Sequence, residues 1–141
     1  MKILAHFGAF AALALSANAF ATLDLTKPNC TPDNCAPQIS VSGAGCGGGI
    51  TVSPDPLIVK KGQAVDIQWT IATPGWSFAE PGIRINIPMD EFDASTAKLS
   101  ADKKQAKVRN KASKQGSYKY DIVLVDAKKN SCTLDPTILN Y

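Results

Sequence analysis

Two segments of the chain alternate between apolar and polar residues over a full strand length. Apolar residues occupy every second position from Val65 to Ile71, and the same period recurs over residues 118–124. A period of two places the apolar side chains on one face of a strand, so each segment predicts a β-strand with one buried face. Val123 and Val125 add apolar residues to the opposite face of the second segment, which indicates a central strand.

Shorter apolar runs predict further strands at residues 50–53, 57–59, 83–87, 106–110 and 131–141, the last interrupted at Asp135 and Pro136. Pro and Gly predict a loop at residues 74–82, and only residues 93–105 could hold a short helix. Lysines flank the strand at 106–110, which is typical of a sheet edge. Several short alternating strands at this spacing predict an all-β fold, a Greek-key β-sandwich.

The first 21 residues have the pattern of a secretory signal peptide. Lys2 supplies the positive charge, residues 3–15 are largely apolar, and small residues form cleavage motifs that end at Ala19 and Ala21. The apolar stretch is shorter than the ~20 residues of a membrane span. We therefore expect a periplasmic or secreted protein without a transmembrane segment. Cleavage would remove His6, the single histidine of the chain.

The remaining chain divides into an irregular Cys-, Gly- and Pro-rich arm at residues 22–49 and a sandwich domain at residues 50–141. An even number of cysteines in an exported chain predicts disulfides. We favour Cys30–Cys35 and Cys46–Cys132, while other pairings such as Cys35 with Cys132 stay open. The cysteine spacing, without histidine, matches no familiar zinc site.

Two motifs give the domain a resemblance to a known family. The segments TVSPDPLIVKKGQAVDIQW (residues 51–69) and GSYKYDIVL (residues 116–124) are similar to the cupredoxin fold of plastocyanin-like proteins. The closing DPTILN (residues 135–140) resembles small exported bacterial proteins of this fold that have no assigned activity. The resemblance implies a cupredoxin-like sandwich over residues 50–140. An immunoglobulin-like strand order is the alternative, because both folds predict short alternating strands.

The residues needed for blue copper are missing from this cupredoxin-like pattern. Such a site uses two His and one Cys, usually with a weak axial Met. Cys132 lies near the expected place, but no His would remain after cleavage, and Met89 is far upstream. We therefore predict no cofactor and no electron transfer. We also predict that the protein is not an enzyme, because the usual general base is missing.

Two groups of residues are candidates for interaction with a partner. Trp76 and Phe78 lie in the predicted Pro/Gly-framed loop, where exposed aromatic residues can anchor a protein interface. Burial of Trp76 in the core is the alternative. Basic residues could give a weak contact with an anionic surface: Lys103, Lys104, Lys107 and Arg109. A solvated sheet edge is the alternative explanation of these charges. The formal net charge of only +3 and the lack of interleaved aromatics argue against nucleic acid.

An acidic cluster offers weak candidates for a hard metal ion at Asp90, Glu91 and Asp93. The EF-hand spacing is missing, which favours a solvated loop instead. Together these features predict an exported, copper-free, cupredoxin-like module that binds an unknown protein or small ligand of the cell envelope. The alternative function is a carrier of a ligand, a hard metal ion or an anion.

Overall fold

Ten β-strands and no helix make up the described part of the chain. The structure is a computed structural model that describes residues 24, 26–43, 45, 47–86 and 90–141. The signal-peptide prediction for residues 1–21 and the position of Cys46 lie outside the described residues. The strands are β1 (Gln38–Val41), β2 (Ile50–Ser53), β3 (Leu57–Val59), β4 (Val65–Ile71), β5 (Trp76–Ile85), β6 (Phe92–Leu99), β7 (Gln105–Asn110), β8 (Gly116–Asp126), β9 (Ser131–Leu134) and β10 (Thr137–Asn140).

The strands form two mixed sheets of an all-β sandwich, as the alternating pattern predicts. The first sheet has the order β2-β1-β4-β7-β6, and the second has the order β3-β10-β8-β5 with β9 also paired to β8. Two of the pairs are parallel, β1 with β4 and β3 with β10. The described chain contains no helix long and apolar enough to cross a membrane.

The core lies between β4 and β8, the two strands with the clearest sequence alternation. Their inward side chains include Ile67, Trp69, Tyr120 and Ile122, none of which is exposed to solvent. The Trp69 indole N–H donates a hydrogen bond of 3.1 Å to the Tyr120 hydroxyl, and the two ring centroids are 5.3 Å apart. This contact joins the two sheets at their centres.

Three predictions on secondary structure are wrong. The predicted irregular arm contains β1, and most of β6 lies in residues 93–105, the segment in which a short helix was considered. The strand predicted for a sheet edge, β7, lies inside the first sheet between β4 and β6. Its lysines fit there because β7 alternates strictly, with Ala106, Val108 and Asn110 buried and the intervening residues exposed.

The prediction of a loop over residues 74–82 is also wrong, because β5 begins at Trp76. Pro81 and Gly82 are accommodated by a shift of register against β8 between Phe78 and Ile83. Such a bulge tolerates proline and glycine in an otherwise paired strand. The sequence signal for a loop therefore marks an irregularity within β5.

The bulge in β5 depends on the absence of a side chain at Gly82. Its φ is +95°, and a Cβ there would lie 2.5 Å from Cδ2 of Leu99 on β6. We expect Gly82→Ala to lower the free energy of unfolding by about 2–3 kcal/mol, through overpacking and an unfavourable φ. Urea unfolding followed by circular dichroism would measure the loss.

Gly75→Ala is the matched control for this substitution. Gly75 has a similar φ of +83°, but a Cβ there would meet nothing within 4 Å. We expect a loss of about 1 kcal/mol from the backbone conformation alone. Equal losses in the two variants would contradict a close contact between β5 and β6 at Gly82.

A disulfide closes a loop within the N-terminal arm, and backbone hydrogen bonds attach this loop to the second sheet. The predicted Cys30–Cys35 bond is present, with the two Cα atoms 4.4 Å apart. The backbone N–H groups of Asn29 and Cys30 both donate to the Ile58 carbonyl at 3.1 Å. Cys132 is also disulfide-bonded. The arm is thus held against β3 by hydrogen bonds, while the Cys30–Cys35 disulfide closes a short loop within the arm.

Candidate functional site

The two aromatic residues expected to anchor a partner are part of the core. The exposed fraction is 6% for Trp76 and 1% for Phe78. Both pair with β8, opposite Asp126 and Leu124 respectively. Of the two alternatives for Trp76, burial is the one observed, and Phe78 is buried as well, because the segment that carries them is a strand whose alternate side chains point inward.

The basic candidates are divided between two places, and each already has a partner. Lys103 forms an ion pair of 3.0 Å with Glu80, and the Lys104 ammonium donates to the Trp76 carbonyl. Lys107 and Arg109 lie on the outer face of the first sheet, 3.0 and 3.1 Å from the Asp66 carboxylate. The hydrogen bond from Lys107, with that from Arg109, lowers the pKa of Asp66. The four cations do not form one patch of unpaired charge.

The acidic candidates are likewise engaged by protein groups. Asp90 pairs with Lys114, and Asp93 accepts hydrogen bonds from the backbone N–H and hydroxyl of Ser95. Glu91 has no solvent exposure and accepts from the Ser113 and Lys114 N–H groups at 2.7 and 3.0 Å. Among the described residues, no group of three acidic or cysteine side chains is arranged to hold a metal ion.

Glu91 keeps its charge in spite of its burial. Desolvation opposes ionisation, but hydrogen bonds from the Ser113 hydroxyl and from the Lys114 and Ser113 N–H groups outweigh it, so the pKa of Glu91 is lowered. The Glu91 carbonyl also accepts from the Lys111 N–H at 2.8 Å. This residue therefore joins the end of the β5–β6 connection to the β7–β8 connection, which is a structural role.

An apolar groove, which the sequence did not predict as a site, lies between β5 and β6. These strands end their respective sheets, so each has a neighbouring strand on one side only within the described chain. The groove has a volume of about 220 Å³. Its apolar lining consists of Pro81, Ile83, Ile85, Phe92, Ala94, Ala97 and Val108.

The groove follows from the local structure of both strands. Ile83 and Ile85 are only half-buried because β5 is the last strand of its sheet. On β6, the register against β7 shifts between Asp93 and Lys98, and this bulged segment carries the small, exposed Ala94 and Ala97. Small side chains at the bulge leave the gap between the sheets unfilled.

One cation that borders the groove forms no ion pair with the residues that the structure describes. Arg84 is exposed, lies between the two isoleucines, and has no ion pair within the described chain. Its cross-strand neighbour Asp121 accepts a hydrogen bond of 3.3 Å from the Asn86 amide. Arg84 therefore offers a positive charge beside an apolar surface.

Comparison with known proteins does not assign a relative. No protein-family model matches the chain, and no curated protein matches it significantly in sequence. The candidate site rests on its own geometry.

Proposed function

We propose that this chain is an exported, copper-free, cupredoxin-like module that binds a protein partner through the groove between β5 and β6. The observation that carries the proposal is an apolar groove, with half-buried Ile83 and Ile85, where the last strands of both sheets meet. Apolar surface left open at sheet edges is typical of interaction sites. No catalytic or electron-transfer role is part of the proposal.

The strand order supports the cupredoxin-like part of this proposal. Immunoglobulin domains are built from two antiparallel sheets. The parallel pairs of β1 with β4 and of β3 with β10 fit that plan poorly. Together with the motifs at residues 51–69 and 116–124, they favour the cupredoxin-like alternative. The Cys30–Cys35 disulfide supports export to an oxidising compartment.

The size of the groove favours a protein partner over a small ligand. Sites for small molecules commonly enclose roughly 300–1,000 Å³. A volume of about 220 Å³ is smaller than this range and suits a few apolar side chains. The carboxylates and most of the cations that could serve an ion carrier already have protein partners. The geometry thus supports protein recognition best.

Site-specific photo-crosslinking would test this function in cells that export the chain. A photoreactive amino acid at Ala97, on the groove side of β6, is expected to give a discrete adduct with a second protein. The matched control is Thr51, an exposed residue of β2 at the opposite end of the same sheet. Adducts of equal yield from both positions, or none from Ala97, would contradict binding at the groove.

A further inference from the structure

We propose that the partner contributes an extended segment that adds as a strand to the free side of β5, with alternate apolar and acidic residues. This inference rests on the proposed function and specifies the chemistry of its ligand. Addition of a strand to an open sheet edge gives affinity through main-chain hydrogen bonds and specificity through alternate side chains.

On the groove side, no strand of the described chain pairs with the backbone of β5. The Asn86 N–H donates to the Lys119 carbonyl of β8 at 3.0 Å. In an antiparallel ladder, successive residues turn their N–H and C=O groups to opposite sides. The backbone N–H and C=O of Arg84 therefore point toward β8, as those of Asn86 do. The backbone N–H and C=O of Ile83 and Ile85 point away from β8. A strand added beside β5 could therefore pair with two N–H donors and two C=O acceptors, those of Ile83 and Ile85.

The side-chain pattern of such a strand follows from the continuation of the second sheet. Alternate side chains would point between the sheets, onto Ile83, Ile85 and the wall formed by Phe92 and Ala94. They must be apolar, because the lining offers almost no polar partner, and burial of an unpaired polar group is unfavourable. The volume of about 220 Å³ suits such side chains.

The intervening side chains would point outward, on the face that carries Arg84. This guanidinium has no ion-pair partner within the described chain, while Asp121 accepts from Asn86. A carboxylate on the added strand would give Arg84 a charge-assisted, bidentate partner. The outward positions are therefore expected to be acidic.

Fluorescence anisotropy with labelled synthetic peptides would test the inference on the purified protein. The probes are peptides of about ten residues, a typical strand length, with alternating Val and Glu, with alternating Val and Lys, or with the Val and Glu composition in blocks. We expect the Val/Glu peptide to bind about tenfold more tightly than the other two. N-methylation of its backbone should abolish binding, because the main-chain donors are lost.

A charge reversal provides the matched variant. Arg84→Glu is expected to weaken binding of the Val/Glu peptide by about tenfold and to strengthen binding of the Val/Lys peptide. Lys128→Glu, the same change at an exposed turn outside the groove, should leave both affinities unchanged. Ala97→Glu, at an exposed position, should weaken binding of the Val/Glu peptide without unfolding the protein.

The outcomes separate the inference from the proposed function. Equal binding of the alternating and block peptides, or no effect of Arg84→Glu, would overturn strand addition at β5. If Ala97 still yields a specific photo-crosslink in that case, binding at the groove stands. If the crosslink is also missing, the proposed function fails as well.

Discussion

Trp69→Ala is expected to lower the free energy of unfolding by about 3–5 kcal/mol. Trp69 is fully buried in β4, and its removal would leave a cavity at the centre of the contact between the sheets. The Tyr120 hydroxyl would also lose the indole donor at 3.1 Å. Urea unfolding followed by far-ultraviolet circular dichroism would measure the change.

Trp69→Phe separates the volume of the side chain from its hydrogen bond. An aromatic ring remains, but the N–H donor to Tyr120 is lost, so we expect a smaller loss of about 1–3 kcal/mol. A loss below about 1 kcal/mol for Trp69→Ala would contradict a central role of this contact.

Glu91→Gln is expected to cause the second large loss in the free energy of unfolding, and the size of this loss depends on pH. Glu91→Gln would replace an acceptor of three hydrogen bonds by an amide whose NH₂ group faces donors, so a loss of about 2–4 kcal/mol is expected at neutral pH. The pKa of Glu91 is lowered in the folded protein from its ordinary value of 4.5. The contribution of the Glu91 carboxylate to the free energy of unfolding is therefore complete above pH 4.5 and is lost as the pH falls through the folded-state pKa.

The free energy of unfolding measured between about pH 6 and pH 3 would test this sign. The difference between the wild type and Glu91→Gln should shrink on acidification. Asp90→Asn is the control, because Asp90 is the adjacent acid but is exposed and pairs with Lys114 at the surface. It should change stability little. A difference between the wild type and Glu91→Gln that grows on acidification would contradict a charged, hydrogen-bonded Glu91.

Elements with strong alternation could be predicted from the sequence, whereas pairing between distant segments could not. β4 and β8 follow directly from period-two burial, and the break at Asp135 and Pro136 separates β9 from β10. β1 is only four residues long, and its parallel pairing with β4 leaves no local signal. β6 escaped prediction because its small polar and alanine residues are compatible with several conformations.

The candidate site was the least predictable part, because it depends on two sheets rather than on one motif. The sequence marked Ile83 and Ile85 as half-buried, but only the strand order shows that β5 and β6 are both terminal strands. Trp76 and Phe78 were misplaced because Pro81 and Gly82 signal a loop while forming a bulge. Glu91 looked like a solvated acid, since its donors lie 22 and 23 residues later in the chain.

The parallel pair of β3 with β10 has a consequence for the order of folding. Its register joins Leu57 to Ile138, so the second sheet cannot be completed until nearly the whole described chain is available. Contacts between such distant residues slow folding, because a long loop must close before they form. In a chain that emerges from the ribosome or a translocation pore N-terminus first, Leu57–Val59 could contact the arm at Cys30, but its β10 side would stay unpaired until the final strand arrives.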